Sequence, residues 1–251
     1  MTGQLPRGSV RRQDQMGETM QNVERRSMRE RWEEAHADAR FRPAYPHEQV
    51  VRWTFRTLDR RAASTTKVLD LGCGAGRHAV FFAHQGFDVH ACDISATGIA
   101  YLQSLTERLG ITIQTHQTPG HDLSHYGDKS FDAVLCFGVM YYMSIDQAGQ
   151  MIREVYRILK TGGKFLCVTR NDGDGRRQHA IFLGRCTWHI TALAAEVASH
   201  VETGMDMLFF SKSDIEEIFR GRFDVCIDRM TYLHHDFADD DWVISATKIE
   251  V

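Results

Sequence analysis

The stretch from Lys67 to His78, which reads K-V-L-D-L-G-C-G-A-G-R-H, constrains the fold more than any other part of the sequence. Its first half is a short apolar run interrupted by one acid, and its second half places a glycine at every other position. The residues from Arg77 onwards favour a helix. A strand, a tight glycine turn and a helix start in succession are typical of the edge at which α/β sheets bind nucleotides.

The spacing of the glycines distinguishes between two kinds of nucleotide site. A dinucleotide fingerprint needs G-x-G-x-x-G, and with Gly72 and Gly74 as its first two glycines the third position is occupied by Arg77. The carboxylate of Asp70 would repel a pyrophosphate, whereas it would attract a ligand that carries positive charge. The pattern therefore favours a cationic ligand over a dinucleotide.

The run D-L-G-C-G-A-G resembles motif I of the class I S-adenosylmethionine (SAM) dependent methyltransferases. The resemblance extends over roughly residues 43–248 and is weakest over 171–206. It implies an α/β fold: a Rossmann-like, seven-stranded, mostly parallel sheet with helices on both faces and an antiparallel C-terminal strand. It also implies SAM as the cofactor. The residues of this motif that it assigns to the cofactor are Asp70, Gly72, Gly74, Gly76 and Arg77.

Further cofactor residues follow at the ends of the predicted strands. Asp93 ends the second strand about twenty residues after the first glycine, where a carboxylate accepts hydrogen bonds from both ribose hydroxyls. Its alternative role is to cap the next helix, which Ser95 fills at least as well. The resemblance places Ile94 on the adenine, Asp122 at the adenine amino group and Phe137 beside the methionine part.

The domain organisation is predicted from changes in composition and periodicity. Residues 1–16 are polar and aperiodic, which indicates a disordered tail. Residues 17–60 favour N-terminal helices, and residues 61–251 form the SAM-binding domain with a substrate-side insertion at about 171–206. Within the variable part, residues 186–201 contain a helix-like stretch, and residues 207–210 are expected among the segments that complete the sheet.

The N-terminal helices have two interpretations. They are either a solvated layer on the core or, as the resemblance implies, a lid over the cofactor and acceptor pocket. If they form a lid, Trp32 and Tyr45 are the residues expected to contact the ligands.

Residues after the predicted fourth strand are candidates for catalysis. A hydroxyl or protonated amine acceptor needs a base within hydrogen-bond reach, and His189, flanked by apolar residues, is the first candidate. Tyr141 and Arg170 are expected on the acceptor side, and the alternative for each residue is a packing or surface role. His78 and His84, on the helix after the glycine turn, are expected to be structural.

Composition and motif content limit the kinds of partner that the protein is expected to bind. A net charge of -3 gives no basic surface for a polyanion, and the D/N-P-P-Y/F motif of amino-directed nucleic-acid methyltransferases is absent, so nucleic acid is an unlikely partner. The six cysteines include no C-x-x-C pair, which indicates a reducing cytoplasm and no metal site. The longest apolar run, 133–143, is too short to cross a membrane.

These observations predict a cytoplasmic SAM-dependent methyltransferase that acts on an N or O atom of a small metabolite or natural product. Three alternatives remain open: a nucleic-acid or protein methyltransferase, a noncatalytic regulatory protein that binds SAM or S-adenosylhomocysteine (SAH), and an NAD-binding oxidoreductase. The sequence leaves open the identity of the small-molecule acceptor and the oligomeric state.

Overall fold

The computed structural model describes residues 26–191, 200–234 and 237–250. The predicted tail over residues 1–16, and the start of the predicted helical segment, lie outside these residues. Among the described segments, none of the helices combines the length and apolar character needed to span a bilayer.

Six α-helices and ten strands make up the described part of the chain. The helices are α1 (Met28–Ala37), α2 (Glu48–Thr57), α3 (Arg77–His84), α4 (Ala96–Leu109), α5 (Ile145–Ile158) and α6 (Lys212–Phe219). The strands are β1 (Lys67–Leu71), β2 (Asp88–Asp93), β3 (Gln114–Gln117), β4 (Phe131–Phe137), β5 (Leu159–Arg170), β6 (Ala180–Gly184), β7 (Thr187–Ile190), β8 (Asp206–Leu208), β9 (Phe223–His234) and β10 (Phe237–Lys248).

The main sheet has seven strands in the order β3-β2-β1-β4-β5-β10-β9. The first five strands are parallel, and β10 pairs antiparallel with both β5 and β9. The inner strands are buried on both faces, which explains their nearly continuous apolar sequences. The predicted fold class is confirmed.

Separate apolar clusters cover the two faces of the main sheet. On one face α5 and α6 contribute Ile152, Val155 and Phe219, all almost fully buried. On the other face α3 and α4 contribute Phe82 and Leu102. This double coverage leaves the edge formed by the carboxyl ends of the strands as the place for a site.

The strand order reverses at β1. The chain passes from β1 to β2 on one side, whereas β4 lies on the other side of β1. Loops that leave the carboxyl ends of β1 and β4 therefore diverge, and the crevice between them is the usual binding site in open α/β sheets. The glycine turn follows β1 at this crevice.

A second sheet of three antiparallel strands, in the order β6-β7-β8, corrects two expectations. The helix-like stretch predicted within 186–201 does not include Thr187–Ile190, because these β-branched and aromatic residues form β7 between two partners. Residues 192–199, the rest of that stretch, lie outside the described part. The strand predicted over 207–210 is β8, which pairs with β7 instead of joining the main sheet.

Candidate functional site

A cavity of about 280 Å³ lies at the carboxyl edge of the main sheet. The glycine turn after β1, the ends of β2 and β4, and the loop after β3 form its walls, and α1 lies across it. Residues from all five regions of the fold therefore meet at one place.

The glycine turn forms the floor of this cavity and requires its glycines. Gly72, Gly74 and Gly76 have φ angles of 72°, 53° and 90°, a region that side-chain-bearing residues rarely adopt. A Cβ atom on Gly72 would overlap Val139, and one on Gly76 would overlap Leu102. The predicted positions thus have both a conformational and a packing reason to be glycine.

Asp93 connects the end of β2 to this turn. Its carboxylate accepts hydrogen bonds from the backbone amides of Gly74 and Ser95, each at 2.8 Å. The side chain lines the cavity and is 8% exposed, and burial raises its pKa. A carboxylate has about four lone-pair sites, so two remain for a ligand.

Asp70 is buried beneath the turn and does not line the cavity. Burial raises the pKa of Asp70 to about 7, although the Ala79 backbone amide and the Arg77 cation oppose the rise. Any attraction to a cationic ligand therefore acts through the cavity floor, without direct contact.

Arg77 and His78, the first two residues of α3, both line the cavity. The Arg77 guanidinium carbon lies 5.5 Å from the ring centre of Phe137, which also lines it. His78, expected to be structural, accepts a hydrogen bond from the backbone amide of His47 at 3.3 Å and also lines the cavity, which the sequence analysis did not predict. Its position directly after the glycine turn was the available signal for the cavity.

One face of α1 closes the cavity. Met28, Trp32 and His36 follow one another at intervals of four residues, and all three line it. The ring centres of Trp32 and Tyr142 are 4.9 Å apart in an edge-to-face arrangement. The structure thus brings the predicted Trp32 to the site.

Two charged residues beside Trp32 fix α1 to the rest of the molecule. Glu33 accepts hydrogen bonds from the backbone amides of Ala96 and Thr97, at 2.7 and 2.8 Å, which are unpaired donors at the start of α4. Burial opposes its ionisation, but these bonds outweigh burial and lower the pKa of Glu33 to about 2. Arg31 donates to the backbone oxygen of Thr203 at 2.9 Å.

The other predicted cofactor residues fall into two groups. Ile94 and Phe137 line the cavity. Tyr45 is 83% exposed, in the extended segment before α2, and does not line the cavity. Asp122 is exposed and accepts hydrogen bonds from the Ser124 backbone and hydroxyl; its neighbour His121 lines the cavity instead.

The predicted catalytic residues lie at different depths. Tyr141 is buried behind the cavity lining, with the Arg170 guanidinium carbon 5.0 Å from its ring centre. Arg170 is itself buried and paired with Asp241 at 3.1 Å. His189 lies on β7 with its Nδ1 atom 2.7 Å from Asp206, and it is not a cavity-lining residue.

Tyr142, next to the predicted Tyr141, is the tyrosine that lines the cavity. Its hydroxyl donates to Glu202 at 2.7 Å, and Glu202 accepts from the Nε atom of Arg176 at 2.6 Å. This buried chain ties the segment before β8 to the cavity wall. Within the described residues, no group of three or more histidine, cysteine or acidic side chains is arranged to hold a metal ion.

Comparison with known proteins finds similarity to methyltransferases. Residues 68–163 match a family model described as a methyltransferase domain. The ubiquinone biosynthesis O-methyltransferase of Pseudomonas syringae pv. tomato is 27% identical over 162 residues, which cover 61% of this chain and 66%, slightly under two thirds, of that relative.

Two solved structures show the same fold. A SAM-dependent methyltransferase of Methanosarcina mazei aligns with a TM-score of 0.65 at 18% identity, over 82% of this chain and all of that chain. The 1,6-didemethyltoxoflavin-N1-methyltransferase of Burkholderia thailandensis, solved with 1,6-didemethyltoxoflavin and SAH, aligns with a TM-score of 0.57 at 18% identity, over 100% of this chain and 94% of that chain.

The sheet order and the cavity define a Rossmann-like nucleotide-binding fold with its site at the switch point of the sheet. In the comparisons, the chain is similar to class I SAM-dependent methyltransferases: residues 68–163 match a methyltransferase domain, and the fold is shared with a SAM-dependent methyltransferase structure. The residues fit SAM as the cofactor, since the glycine turn leaves space beside its backbone and Asp93 retains lone pairs at the cavity.

Proposed function

We propose that this protein transfers the methyl group of SAM to an N or O atom of a small metabolite or natural product. The observation that carries the proposal is the convergence of the glycine turn, Asp93 and α1 on one cavity. The first two provide for a nucleoside, and the helix covers the space in which a small acceptor would lie.

In this proposal the cofactor residues divide the cavity between them. Asp93 accepts the ribose hydroxyls, and Ile94 packs on the adenine. The loop that contains Asp122 contributes Pro119 and His121 to the cavity lining. Arg77 and Phe137 lie beside the methionine part.

When bound, SAM supplies a methyl group attached to a positively charged sulfur. The protein's own contribution is to align the acceptor with that group and to exclude water, because alignment of reactants accounts for much of the rate in such displacements. Trp32 and Tyr142, whose rings are in contact, provide an apolar wall for this purpose. Docking of α1 through Glu33 keeps the wall in place.

Two named relatives support a small acceptor. One is named for ubiquinone biosynthesis and methylates oxygen; the other is named for a toxoflavin precursor and methylates nitrogen. Because they differ, both atoms stay in the proposal. Tyr141, Arg170 and His189 stay proposed catalytic residues. Tyr141 has the best support, because its hydroxyl oxygen lies next to Gly138, a residue that lines the cavity: a Cβ atom added to Gly138 would be 3.3 Å from that oxygen.

A labelled-transfer experiment tests the proposal. Purified protein is incubated with methyl-labelled SAM and, in separate reactions, with a fractionated small-molecule extract, pooled RNA or pooled protein. We expect label in the low-mass fraction, and an Asp93→Ala variant should lose it. Label in RNA or protein alone would support a macromolecular acceptor. SAH binding without transfer to any fraction would support the noncatalytic alternative.

A further inference from the structure

The outer strand of the small sheet, β6, exposes three consecutive apolar side chains. Ile181, Phe182 and Leu183 are 50%, 54% and 55% exposed. The inner edge of β6 pairs with β7, and no other strand in the described part of the chain pairs with its outer edge. Because Ile181 and Phe182 are neighbours on a strand, they point to opposite faces of the sheet. Both faces of β6 and its outer backbone edge are therefore open.

The edge strands of the main sheet are protected in a way that β6 is not. At one edge, β3 is a four-residue strand of polar side chains. At the other edge, β9 carries the exposed charges of Asp224, Asp228 and Arg229. Polar and charged side chains are a usual means by which sheets prevent a further strand from pairing at an edge. The sequence of β6, A-I-F-L-G, contains neither kind, which is typical of an edge that a partner covers.

The charges beside β6 favour a second copy of this chain as that partner. Phe182 packs on Trp188 of β7, with 5.0 Å between the ring centres, and a groove of about 370 Å³ lies beside both rings. The charged residues that line the groove are two of each sign, namely Arg177, Arg185, Asp172 and Asp214. An anionic membrane or an acidic protein would be matched by an excess of positive charge, whereas a balanced surface complements a copy of itself.

The size of the apolar surface sets the expected strength of self-association. Three half-exposed side chains from each of two copies supply about 600 Å² of buried area, at about 100 Å² for each side chain. A stable interface buries about 1,200 Å² or more, so the groove beside Phe182 has to contribute the rest. This area predicts a dimer that forms at micromolar concentrations and dissociates on dilution.

We propose that this protein forms a homodimer in which the β6 strands of two copies pair antiparallel across a twofold axis. Identical strands related by such an axis run in opposite directions, which is the arrangement that antiparallel hydrogen bonding needs. With the axis at Phe182, the middle residue of β6, this side chain meets its counterpart, and Ile181 meets Leu183 of the second copy. Among the described residues, those that line the cofactor cavity include none from β6, so the inference is independent of the proposed function.

Sedimentation equilibrium of the full chain tests the proposal over a range of protein concentrations. Phe182→Asp replaces an apolar contact by two like charges that face each other across the axis. Leu233→Asp is the matched control, because Leu233 is an 80% exposed apolar residue on β9. SAH binding and circular dichroism show whether each variant is folded.

We expect the wild type to dimerise with a micromolar dissociation constant, Phe182→Asp to weaken the dimer at least about tenfold, and Leu233→Asp to change it less than about twofold. A wild type that stays monomeric would overturn the proposal, and so would a dimer that Phe182→Asp does not weaken. Monomeric protein that sediments with vesicles of phosphatidylcholine and phosphatidylglycerol, but not after Phe182→Asp, would also overturn it and assign β6 to a membrane surface.

A second measurement uses the wild type alone and does not depend on a variant that folds. Hydrogen exchange followed by mass spectrometry is carried out at protein concentrations below and above the dissociation constant. The proposal requires the backbone amides of β6 to exchange more slowly at the higher concentration, because pairing of the two strands protects them. Protection that appears only in other segments would place the dimer interface elsewhere and overturn the proposal.

Discussion

The Asp93 carboxylate accepts a hydrogen bond from the backbone amide of Gly74 at 2.8 Å, which joins the end of β2 to the centre of the turn after β1. Gly74 reaches this position with a φ of 53°. The same carboxylate therefore holds the shape of the turn and remains available at the cavity. Asp93 thus both shapes the glycine turn and offers a hydrogen-bond acceptor to a nucleoside.

Replacing Gly76 should reveal how tightly the turn is packed. Gly76→Ala places a methyl group against Leu102 at a φ of 90°, and we expect the free energy of unfolding to fall by about 2–4 kcal/mol from strain and overpacking. Gly110→Ala is the matched control, because Gly110 also has a positive φ but no atom within 4 Å of an added Cβ; about 1 kcal/mol is expected. Urea unfolding measures both. If both variants lost the same free energy of unfolding, backbone strain alone, without crowding against Leu102, would account for the effect at Gly76.

The docking of α1 should depend on one carboxylate. Glu33→Gln is expected to lower the free energy of unfolding at pH 7 by about 1–2 kcal/mol, because the charged form accepts three hydrogen bonds at the start of α4. Its pKa falls from 4.5 to about 2 on folding, so this contribution is present above pH 4.5 and disappears as the pH falls towards 2.

The control for this change is Glu34→Gln. Glu34 is the next residue on α1, and its carboxylate is exposed and pairs with Arg26 on the surface. Surface pairs of this kind contribute little, so an effect below about 0.5 kcal/mol is expected. If the two variants had similar effects in urea unfolding at pH 7, Glu33 would not be what fixes the helix.

Burial of Asp70 should be visible as a pH dependence of stability. The pKa of Asp70 rises from 3.8 to about 7 on folding. As the pH increases, the unfolded chain therefore releases the Asp70 proton at a lower pH than the folded protein does, and the free energy of unfolding declines between pH 3.8 and about 7. Asp70→Asn removes this penalty and can still accept from the Ala79 amide. We expect its stabilisation over the wild type to be about 2 kcal/mol larger at pH 8 than at pH 5, measured by urea unfolding. The exposed Asp88→Asn should show no such trend, and an equally flat difference for Asp70→Asn would contradict the assignment.

The buried carboxylate behind Tyr142 should be important for stability. Glu202→Ala removes the 2.6 Å carboxylate partner of the buried Arg176 side chain, which keeps its ion pairs with Asp174 and Asp239, and the loss of one such charged hydrogen bond costs about 1.5–3 kcal/mol. Tyr142→Phe removes one hydrogen bond to the same carboxylate and should cost about 1 kcal/mol. Thermal unfolding measures both changes. Similar values for the two variants would mean that the ion pair contributes no more than the phenol.

The nucleoside half of the site could be predicted because its determinants are local. The strand, turn and helix from Lys67 to His78 are continuous in sequence, and Asp93 follows at the end of the next strand. Parallel pairing of β1 and β2 then brings the two segments to the same edge. Short-range sequence patterns, together with the rule that the carboxyl ends of parallel strands meet at one edge of the sheet, are enough to predict the nucleoside half of the site.

The acceptor half depends on contacts that no local pattern encodes. Arg31 bonds to Thr203 over 172 positions of sequence, and Tyr142 bonds to Glu202 over 60. Pairing between strands, and not helix propensity, decides the structure of Thr187–Ile190. These choices follow from how the small sheet packs on the main one, which a single sequence does not show.

The most direct test of the cofactor site is a calorimetric titration with SAH, with NAD as the control ligand, on the wild type and on Asp93→Ala. The account predicts micromolar SAH binding by the wild type, no NAD binding, and SAH affinity at least about tenfold weaker in the variant, because the ribose hydroxyls lose their charged acceptor. Circular dichroism of the variant confirms that it is folded. Binding of NAD in place of SAH, or SAH binding unaffected by the loss of Asp93, would contradict the account.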